Sequence, residues 1–166
     1  LSGVTEALQD HAVDLAISPI VPAGFLYENL TEVEFVAVAQ SGHPLHRYSD
    51  RAYGVERLRH AVHIVIRDSG VRARDAGWVQ NEQKWTVSSF AAAIDMVASG
   101  LGFAWLPRQQ IQGMLDAEIL RPLELEHGAS YRVPVNLIYG GKRETGPATR
   151  QFIELLKDVI NHGETE

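Results

Sequence analysis

Residues 85–107 read WTVSSFAAAIDMVASGLGFAWLP, and the hydrophobic pattern changes twice along this stretch. Between Phe90 and Ala98 apolar side chains recur at every third or fourth position, which predicts an amphipathic helix of about three turns. The apolar residues before and after this helix predict two strands, and Gly100 stands where a helix ends in the left-handed conformation. The stretch therefore predicts a helix that packs against a sheet.

The amino end of this predicted helix carries two serines, Ser88 and Ser89. Either hydroxyl suits an N-cap, because it accepts a hydrogen bond from a backbone N–H of the first turn. The free N–H groups and the positive partial charge of a helix amino end also suit a small carboxylate or another anion. The residues alone leave both roles open, a simple cap and a ligand contact.

Composition limits the classes of function. A chain of 166 residues with 45% hydrophobic and 22% charged residues is large enough for one globular domain or two small lobes. The formal net charge of -6 argues against nucleic-acid binding by this segment, because phosphate contacts require a basic surface. The absence of cysteine excludes disulfides and thiol catalysis, and no apolar run is long enough to span a membrane.

Strands and helices alternate along the rest of the chain. Apolar periodicity predicts strands over residues 13–17, 34–39, 62–66 and 132–139, an edge segment over 120–125, and helices over 2–10, over 54–60, after Pro107 and after Gly146. The segment around Pro22 and Gly24 is predicted to be a loop. This order of elements predicts an α/β fold with mainly parallel strand pairing.

Polar residues follow two of the predicted strands at their carboxyl ends. Ser18 and Pro19 follow the first strand, and Arg67, Asp68 and Ser69 follow the third. Open α/β sheets place ligands outside the carboxyl ends of strands, and a guanidinium can pair with a carboxylate on a ligand. For the second group the alternative is a surface turn in which the arginine and the aspartate neutralise each other.

The sequence contains no recognisable catalytic or cofactor motif. None of the seven histidines has the spacing of a metal site, and Gly100-Leu101-Gly102 follows a helix, whereas a dinucleotide motif precedes one. No arrangement combines a nucleophile, a base and oxyanion donors. We therefore expect neither a metal nor a cofactor, and a binding domain rather than an enzyme.

Four motifs occur in an order that resembles the effector-binding domain of LysR-type transcriptional regulators. They are VDLAI at 13–17, VAV at 36–38 leading to HPL at 43–45, VASGLGFAWLP at 97–107 and PATRQF at 147–152. The resemblance implies a type 2 periplasmic-binding-protein-like α/β fold, in which two Rossmann-like lobes are joined by two crossing strands. It also implies a small-molecule effector, bound in the cleft between the lobes.

The resemblance implies lobe boundaries as well. Residues 1–40 and 142–166 would form the first lobe and 41–141 the second, with crossings at 35–40 and 135–139. The first lobe is expected to be incomplete, because the opening strand, helix and strand that the family has in this lobe have no counterpart in the sequence. The family's winged helix-turn-helix DNA-binding domain has no counterpart either. DNA binding and homo-oligomer formation are then expected to depend on the parent protein, a cytoplasmic regulator without a membrane contact.

The effector contacts of the family match three groups of positions here: Ser18 and Pro19 after the first strand, Arg67, Asp68 and Ser69 after the third, and Ser88, Ser89 and Phe90 at the start of the central helix. The same positions follow from the strand ends and the helix terminus. A solute-binding protein of a transport system shares the implied fold and remains the alternative. A helix-turn-helix or an export signal upstream would distinguish the two.

Overall fold

The chain forms two compact units. A computed structural model describes residues 2–48, 52–67, 82–140 and 146–163. Unit 1 is made of Leu1–Glu32 and Pro134–Glu166, and unit 2 is Val33–Val133. The boundaries lie earlier in the chain than the predicted ones at 40/41 and 141/142. Both boundaries fall inside long continuous strands, where the sequence carries no turn signal that could have located them.

Unit 1 combines two helices with one whole strand and parts of two others. Its elements are α1 (Ser2–Gln9), β1 (Leu15–Ser18), the first part of β2 (Leu26–Gln40), the last part of β7 (Ser130–Tyr139) and α4 (Pro147–Gly163). β1 runs antiparallel to β7, so that Ser18 lies opposite Asn136. Gly140 follows β7 at a close approach of two backbones, because a Cβ atom there would lie 2.0 Å from the carbonyl oxygen of Val13. Only glycine fits this position without a shift.

Unit 2 holds the remaining elements. They are the last part of β2, the 3-10 helices Pro44–Tyr48 and Val55–His60, β3 (His63–Ile66), β4 (Lys84–Val87), α2 (Phe90–Ala98), β5 (Phe103–Pro107), α3 (Arg108–Asp116), β6 (Leu120–Pro122) and the first part of β7. The strands hydrogen-bond in the order β1-β7-β2-β5-β3-β4, and β6 pairs with β2 in addition. The ends of β3 and β4 therefore meet beside the start of α2.

The core of unit 2 lies on both faces of β2 and β5. Alternate side chains of these strands enter two different apolar clusters, since successive residues of a strand point to opposite faces. The first cluster contains Val36, Val38, Ala104 and Leu106 together with residues of α2 and α3, and the second contains Ala37, Ala39 and Phe103 together with Leu45, Leu58, Leu123 and Leu125. Burial on both faces explains the uninterrupted apolar sequence of these strands.

The stretch 85–107 folds as the pattern predicts. It forms β4, α2 and β5 in turn, and Ala93, Ile94 and Val97 are buried on one face of the helix. Gly100 adopts the left-handed conformation, with φ of 78°. The local signals in this stretch, apolar periodicity and a glycine stop, were therefore sufficient to locate the helix.

Two expectations about the fold were wrong. The pairing is not mainly parallel: among the described strands, β3 pairs in parallel with β4 and β5, but β1–β7, β2–β5 and β2–β6 are antiparallel. The order of strands and helices along a chain leaves the direction of each pairing undecided. The strand predicted over 34–39 is also too short, because Leu26–Gln40 is one strand whose first half is rich in polar residues and gives no apolar run.

Candidate functional site

Two parallel strands end side by side in unit 2. β3 and β4 pair in register up to Ile66 and Val87, and the N–H of Arg67 donates a hydrogen bond to the carbonyl of Val87 at 2.7 Å. Arg67 and Ser88 are therefore the residues that directly follow two neighbouring strand ends. Both side chains are exposed, so a guanidinium and a hydroxyl face the solvent at this edge of the sheet.

Ser89 caps α2. Its backbone is extended, with φ of −148° and ψ of 158°, and its Oγ accepts a hydrogen bond from the N–H of Ala92 at 3.2 Å. The prediction of a serine cap is thus confirmed for Ser89. A capping hydroxyl keeps its own hydrogen, so Ser89 is able to donate to an anion while it accepts from the helix.

The amino end of α2 favours negative charge. The first backbone N–H groups of a helix have no partner within the helix, and the aligned peptide dipoles place a positive partial charge there. The first turn of α2 contains no acidic side chain, so the helix itself supplies no carboxylate to neutralise this charge. Together with Arg67, residues 88–90 form what we call the α2 edge.

Phe90 belongs to a row of three aromatic rings. Its centroid lies 6.0 Å from that of Phe35 at an angle of 46°, and Phe35 stacks on Tyr131 with centroids 5.2 Å apart and planes at 2°. Burial raises the pKa of Tyr131 to about 12, so its phenol stays neutral. Sequence reasoning missed Phe35 and Tyr131, because an aromatic residue in a strand looks the same whether it borders a site or fills a core.

The predicted residues of unit 1 lie in a turn at the end of β1. Ser18 ends β1, is 3% exposed, and accepts a hydrogen bond at its carbonyl from Nδ2 of Asn136 at 3.3 Å. Oδ1 of Asn136 accepts in turn from Nδ2 of Asn29 at 3.3 Å. Oγ of Ser18 accepts from the N–H of Ile20 at 3.1 Å, and Pro19 between them is half-buried. We call residues 18–20 the Ser18 turn.

The structure groups some of the predicted residues and not others. The α2 edge brings Arg67, Ser88, Ser89 and Phe90 together within unit 2, while Ser18 and Pro19 belong to unit 1. Asp68 and Ser69 lie outside the described residues. Asn29 and Asn136 were not predicted, since only the register of β1 on β7 shows that an asparagine faces Ser18.

Neither a metal-ion cluster nor a membrane-spanning helix occurs in the described ranges 2–48, 52–67, 82–140 and 146–163. Within them, no three histidine, aspartate or glutamate side chains are grouped so that they could hold a metal ion. No helix there is both long and apolar enough to cross a bilayer.

A family match shows the class of protein. In the structure, hydrogen-bond donors lie at a strand edge and at the amino end of α2, beside aromatic rings. The family model "LysR substrate binding domain" matches residues 2–161. The chain therefore belongs to the LysR substrate-binding domain family, the regulatory ligand-binding domains of LysR-type transcriptional regulators. This confirms the predicted resemblance and the type 2 periplasmic-binding-protein-like fold.

Solved structures share this fold. The regulatory domain of CcmR from Synechocystis PCC6803, in complex with 2-PG, is 17% identical with a TM-score of 0.73, covering 95% of this chain and 78% of that one. The effector-binding domain of QuiR in complex with shikimate is 20% identical with a TM-score of 0.71, covering 96% and 78%. Full-length LysG from Corynebacterium glutamicum with bound effector Arg is 18% identical with a TM-score of 0.70, covering 96% and 55%.

At these identities the likeness concerns the fold alone. No curated protein sequence matches the chain.

Proposed function

We propose that this domain senses a small anion, most simply a carboxylate, and that the α2 edge receives the negative group. The observation that carries the proposal is the grouping of the Arg67 guanidinium, the hydroxyls of Ser88 and Ser89, and the amino end of α2 at one edge of unit 2. All of these groups are donors or positive, and a carboxylate offers only acceptors. Asp68 and Ser69 remain proposed contacts from the family resemblance.

The Ser18 turn is proposed as a further set of effector contacts in unit 1. Ser18 and Pro19 match family contact positions, and Ser18 keeps a hydroxyl hydrogen for a ligand. The solved structures support a small effector, since three of them hold a small molecule, namely 2-PG, shikimate or Arg. The effector is proposed to be bound and released unchanged, since the family is one of regulatory ligand-binding domains.

The remaining steps of regulation are assigned to the whole regulator. With a net charge of -6, this chain is unsuited to contact DNA phosphates, so we assign DNA binding to another part of the protein. The effector acts by binding one state of the regulator more tightly than the other. We assign the whole regulator, proposed to be a homo-oligomer, to the cytoplasm, because regulating transcription requires access to DNA. The absence of cysteine is compatible with a reducing compartment.

A ligand screen with matched variants tests the proposal. Thermal shift is measured with benzoate, succinate, shikimate and L-arginine, and with the methyl ester of each, because a ligand of the folded state raises its apparent stability. We expect an acid of this panel to give a saturable shift that its ester does not. Arg67→Ala should weaken the affinity for that acid about 10- to 100-fold, as expected for a charged hydrogen bond.

Arg47→Ala is the matched control. It removes another exposed arginine of unit 2, from the 3-10 helix Pro44–Tyr48, and should leave the affinity unchanged. Ser88→Ala combined with Ser89→Ala is compared by affinity rather than melting temperature, since losing the cap alone lowers stability by about 1 kcal/mol. Equal losses for Arg67→Ala and Arg47→Ala, or no saturable shift from any acid, would contradict the proposal.

A further inference from the structure

A chain of side-chain amides runs to the Ser18 turn inside unit 1. Ser18 and Asn136 are the buried polar residues of the described chain, with 3% and 5% exposure. Asn136 lies opposite Ser18 in the β1–β7 register, and its Nδ2 donates to the carbonyl of Ser18 at 3.3 Å. Asn29, an exposed residue of β2, donates to Oδ1 of Asn136 at 3.3 Å. Three strands therefore contribute to one hydrogen-bonded line.

The orientation of the Asn136 amide is determined at both ends. The Ser18 carbonyl only accepts hydrogen bonds, so the nitrogen of Asn136 faces it and the oxygen faces Asn29. The amide of Asn29 also lies 3.4 Å from the carbonyl of Thr31, which again orients its nitrogen. A buried amide held in this way has one orientation, and it holds the Ser18 backbone in one position.

The hydroxyl of Ser18 is still able to donate one hydrogen bond. Its oxygen accepts from the N–H of Ile20 at 3.1 Å, and across the described part of the chain no oxygen accepts its hydrogen. Buried donors in native proteins have an acceptor, so this hydrogen requires one. Because Ser18 is 3% exposed, this hydrogen is largely shielded from bulk solvent.

We propose that Asn136, held by Asn29, is the positioning residue of the Ser18 turn, and that it directs the Ser18 hydroxyl toward one carboxylate oxygen of the effector. The proposal rests on the proposed function in taking Ser18 as an effector contact. Asn136 acts only through Ser18. It fixes the position of the backbone from which the hydroxyl projects, and the hydroxyl then favours a ligand that offers it an acceptor atom.

The first experiment needs no effector. The protection factor of the Ile20 amide against hydrogen exchange is measured by NMR over a pH series in the wild type, Asn136→Asp and Asn136→Leu. A deprotonated aspartate is unable to donate to the Ser18 carbonyl, whereas the protonated acid has an O–H that donates. We expect Ile20 protection to fall at least tenfold in Asn136→Asp at neutral pH and to recover in acid, and to stay low in Asn136→Leu.

These outcomes separate positioning from space filling. Asn136→Leu keeps the volume of the side chain, so wild-type protection in this variant, or a pH-independent loss in Asn136→Asp, would overturn the positioning role. Should the buried substitutions prevent folding, the exposed Asn29→Ala tests the positioning role instead. A lower Ile20 protection in this variant supports that role, and an unchanged protection overturns it. Gln112→Ala, which removes a side-chain amide hydrogen bond of unit 2, serves as control and should leave Ile20 unaffected.

The second experiment links the turn to the effector. The affinities for benzoate, succinate and shikimate are measured by calorimetry for Ser18→Ala, Asn136→Asp and the double variant. If Asn136 acts through Ser18, the double variant loses no more than the roughly tenfold affinity that Ser18→Ala loses. Multiplied losses would overturn the proposal. An absence of binding to the wild type would contradict the proposed function and the role of the Ser18 hydroxyl as a donor to the effector, while Ile20 protection decides the role of Asn136 separately.

Discussion

The two units of the domain differ in what stabilises them. Both large apolar clusters of the described chain lie in unit 2, where β2, β5, α2 and α3 supply fully buried side chains. Unit 1 has most of the large apolar side chains that are exposed: Ile17, Ile20, Leu26, Tyr27, Phe152, Leu155 and Val159. Unit 1 also contains the buried line of hydrogen bonds from Asn29 to Ser18.

This difference shows which kind of signal each unit leaves in the sequence. A core made of apolar burial appears as periodicity, because the same side chains that pack also form the pattern. The hydrogen bonds between distant strands that unit 1 also contains leave no such pattern. Substitutions in the two units should therefore differ in their effects on stability.

Removing a large apolar side chain should affect the two units very differently. Leu106 is fully buried in unit 2, so Leu106→Ala should lower the free energy of unfolding by about 2–5 kcal/mol. Leu155 on α4 is 57% exposed, and Leu155→Ala should change it by less than about 0.5 kcal/mol. Urea unfolding measures both. A similar loss in the two variants would show that the exposed face of α4 is packed in solution.

Acid should weaken unit 2 through His63. Burial, and secondarily the charge of Lys84, lowers the pKa of His63 to about 4, and its ring stacks on Phe103 with centroids 5.0 Å apart. The unfolded chain binds this proton near 6.5, so the contribution of His63 is complete above that pH and is lost as the pH falls toward 4. His63→Phe should remove up to about 3 kcal/mol of this acid sensitivity.

Urea unfolding over a pH series measures this effect. Stability curves for the wild type and His63→Phe that run parallel from neutral pH to about pH 4 would contradict it.

Each unit contains a glycine at which a Cβ atom would overlap a backbone carbonyl oxygen. A Cβ atom would lie 2.2 Å from the Val62 carbonyl oxygen at Gly102 and 2.0 Å from that of Val13 at Gly140. Alanine at either position should destabilise the fold by about 1–3 kcal/mol, since backbone must move. Gly113 of α3 has nothing within 4 Å, so Gly113→Ala should instead stabilise it by about 0.5–1 kcal/mol. Thermal unfolding measures the three variants, and a change in melting temperature of the same sign in all of them would refute this expected difference.

The smallest effect concerns a polar contact of unit 1. Glu28 accepts hydrogen bonds from Lys157 at 2.8 Å and from the Tyr139 hydroxyl at 2.5 Å, and these bonds, the lysine first, lower its pKa. The stability they contribute is present above the ordinary pKa of 4.5 and is lost as the pH falls below it. Tyr139→Phe should therefore lose about 0.5–1 kcal/mol at neutral pH and less in acid. A loss that stays constant with pH would exclude Glu28 as its cause.

Much of the fold was predictable where neighbouring residues decide the structure. The helix Phe90–Ala98, its cap at Ser89 and its glycine stop at Gly100 all follow from residues within a few positions of one another. The first half of β2 was missed because Glu28, Asn29 and Glu32 interrupt any apolar run there. Its strand conformation depends on pairing with residues far away in the chain.

The candidate site was predictable in part for the same reason. Arg67, Ser88 and Ser89 follow strand ends or begin a helix, and such positions can be read from local pattern. Phe35, Tyr131, Asn29 and Asn136 could not be found in this way. The contact between Asn29 and Asn136 joins residues 107 positions apart, which no local pattern records.

By itself the sequence determined the class of fold, the family, the central helix and the polar residues at the strand ends, because each depends on short-range propensity or on motifs in order. Only the tertiary structure decided the strand directions, the division into units within β2 and β7, and the asparagine line to Ser18. The physical reason is that strand register is set by hydrogen bonds between segments distant in sequence, so a side chain's partners become known only when those segments pair.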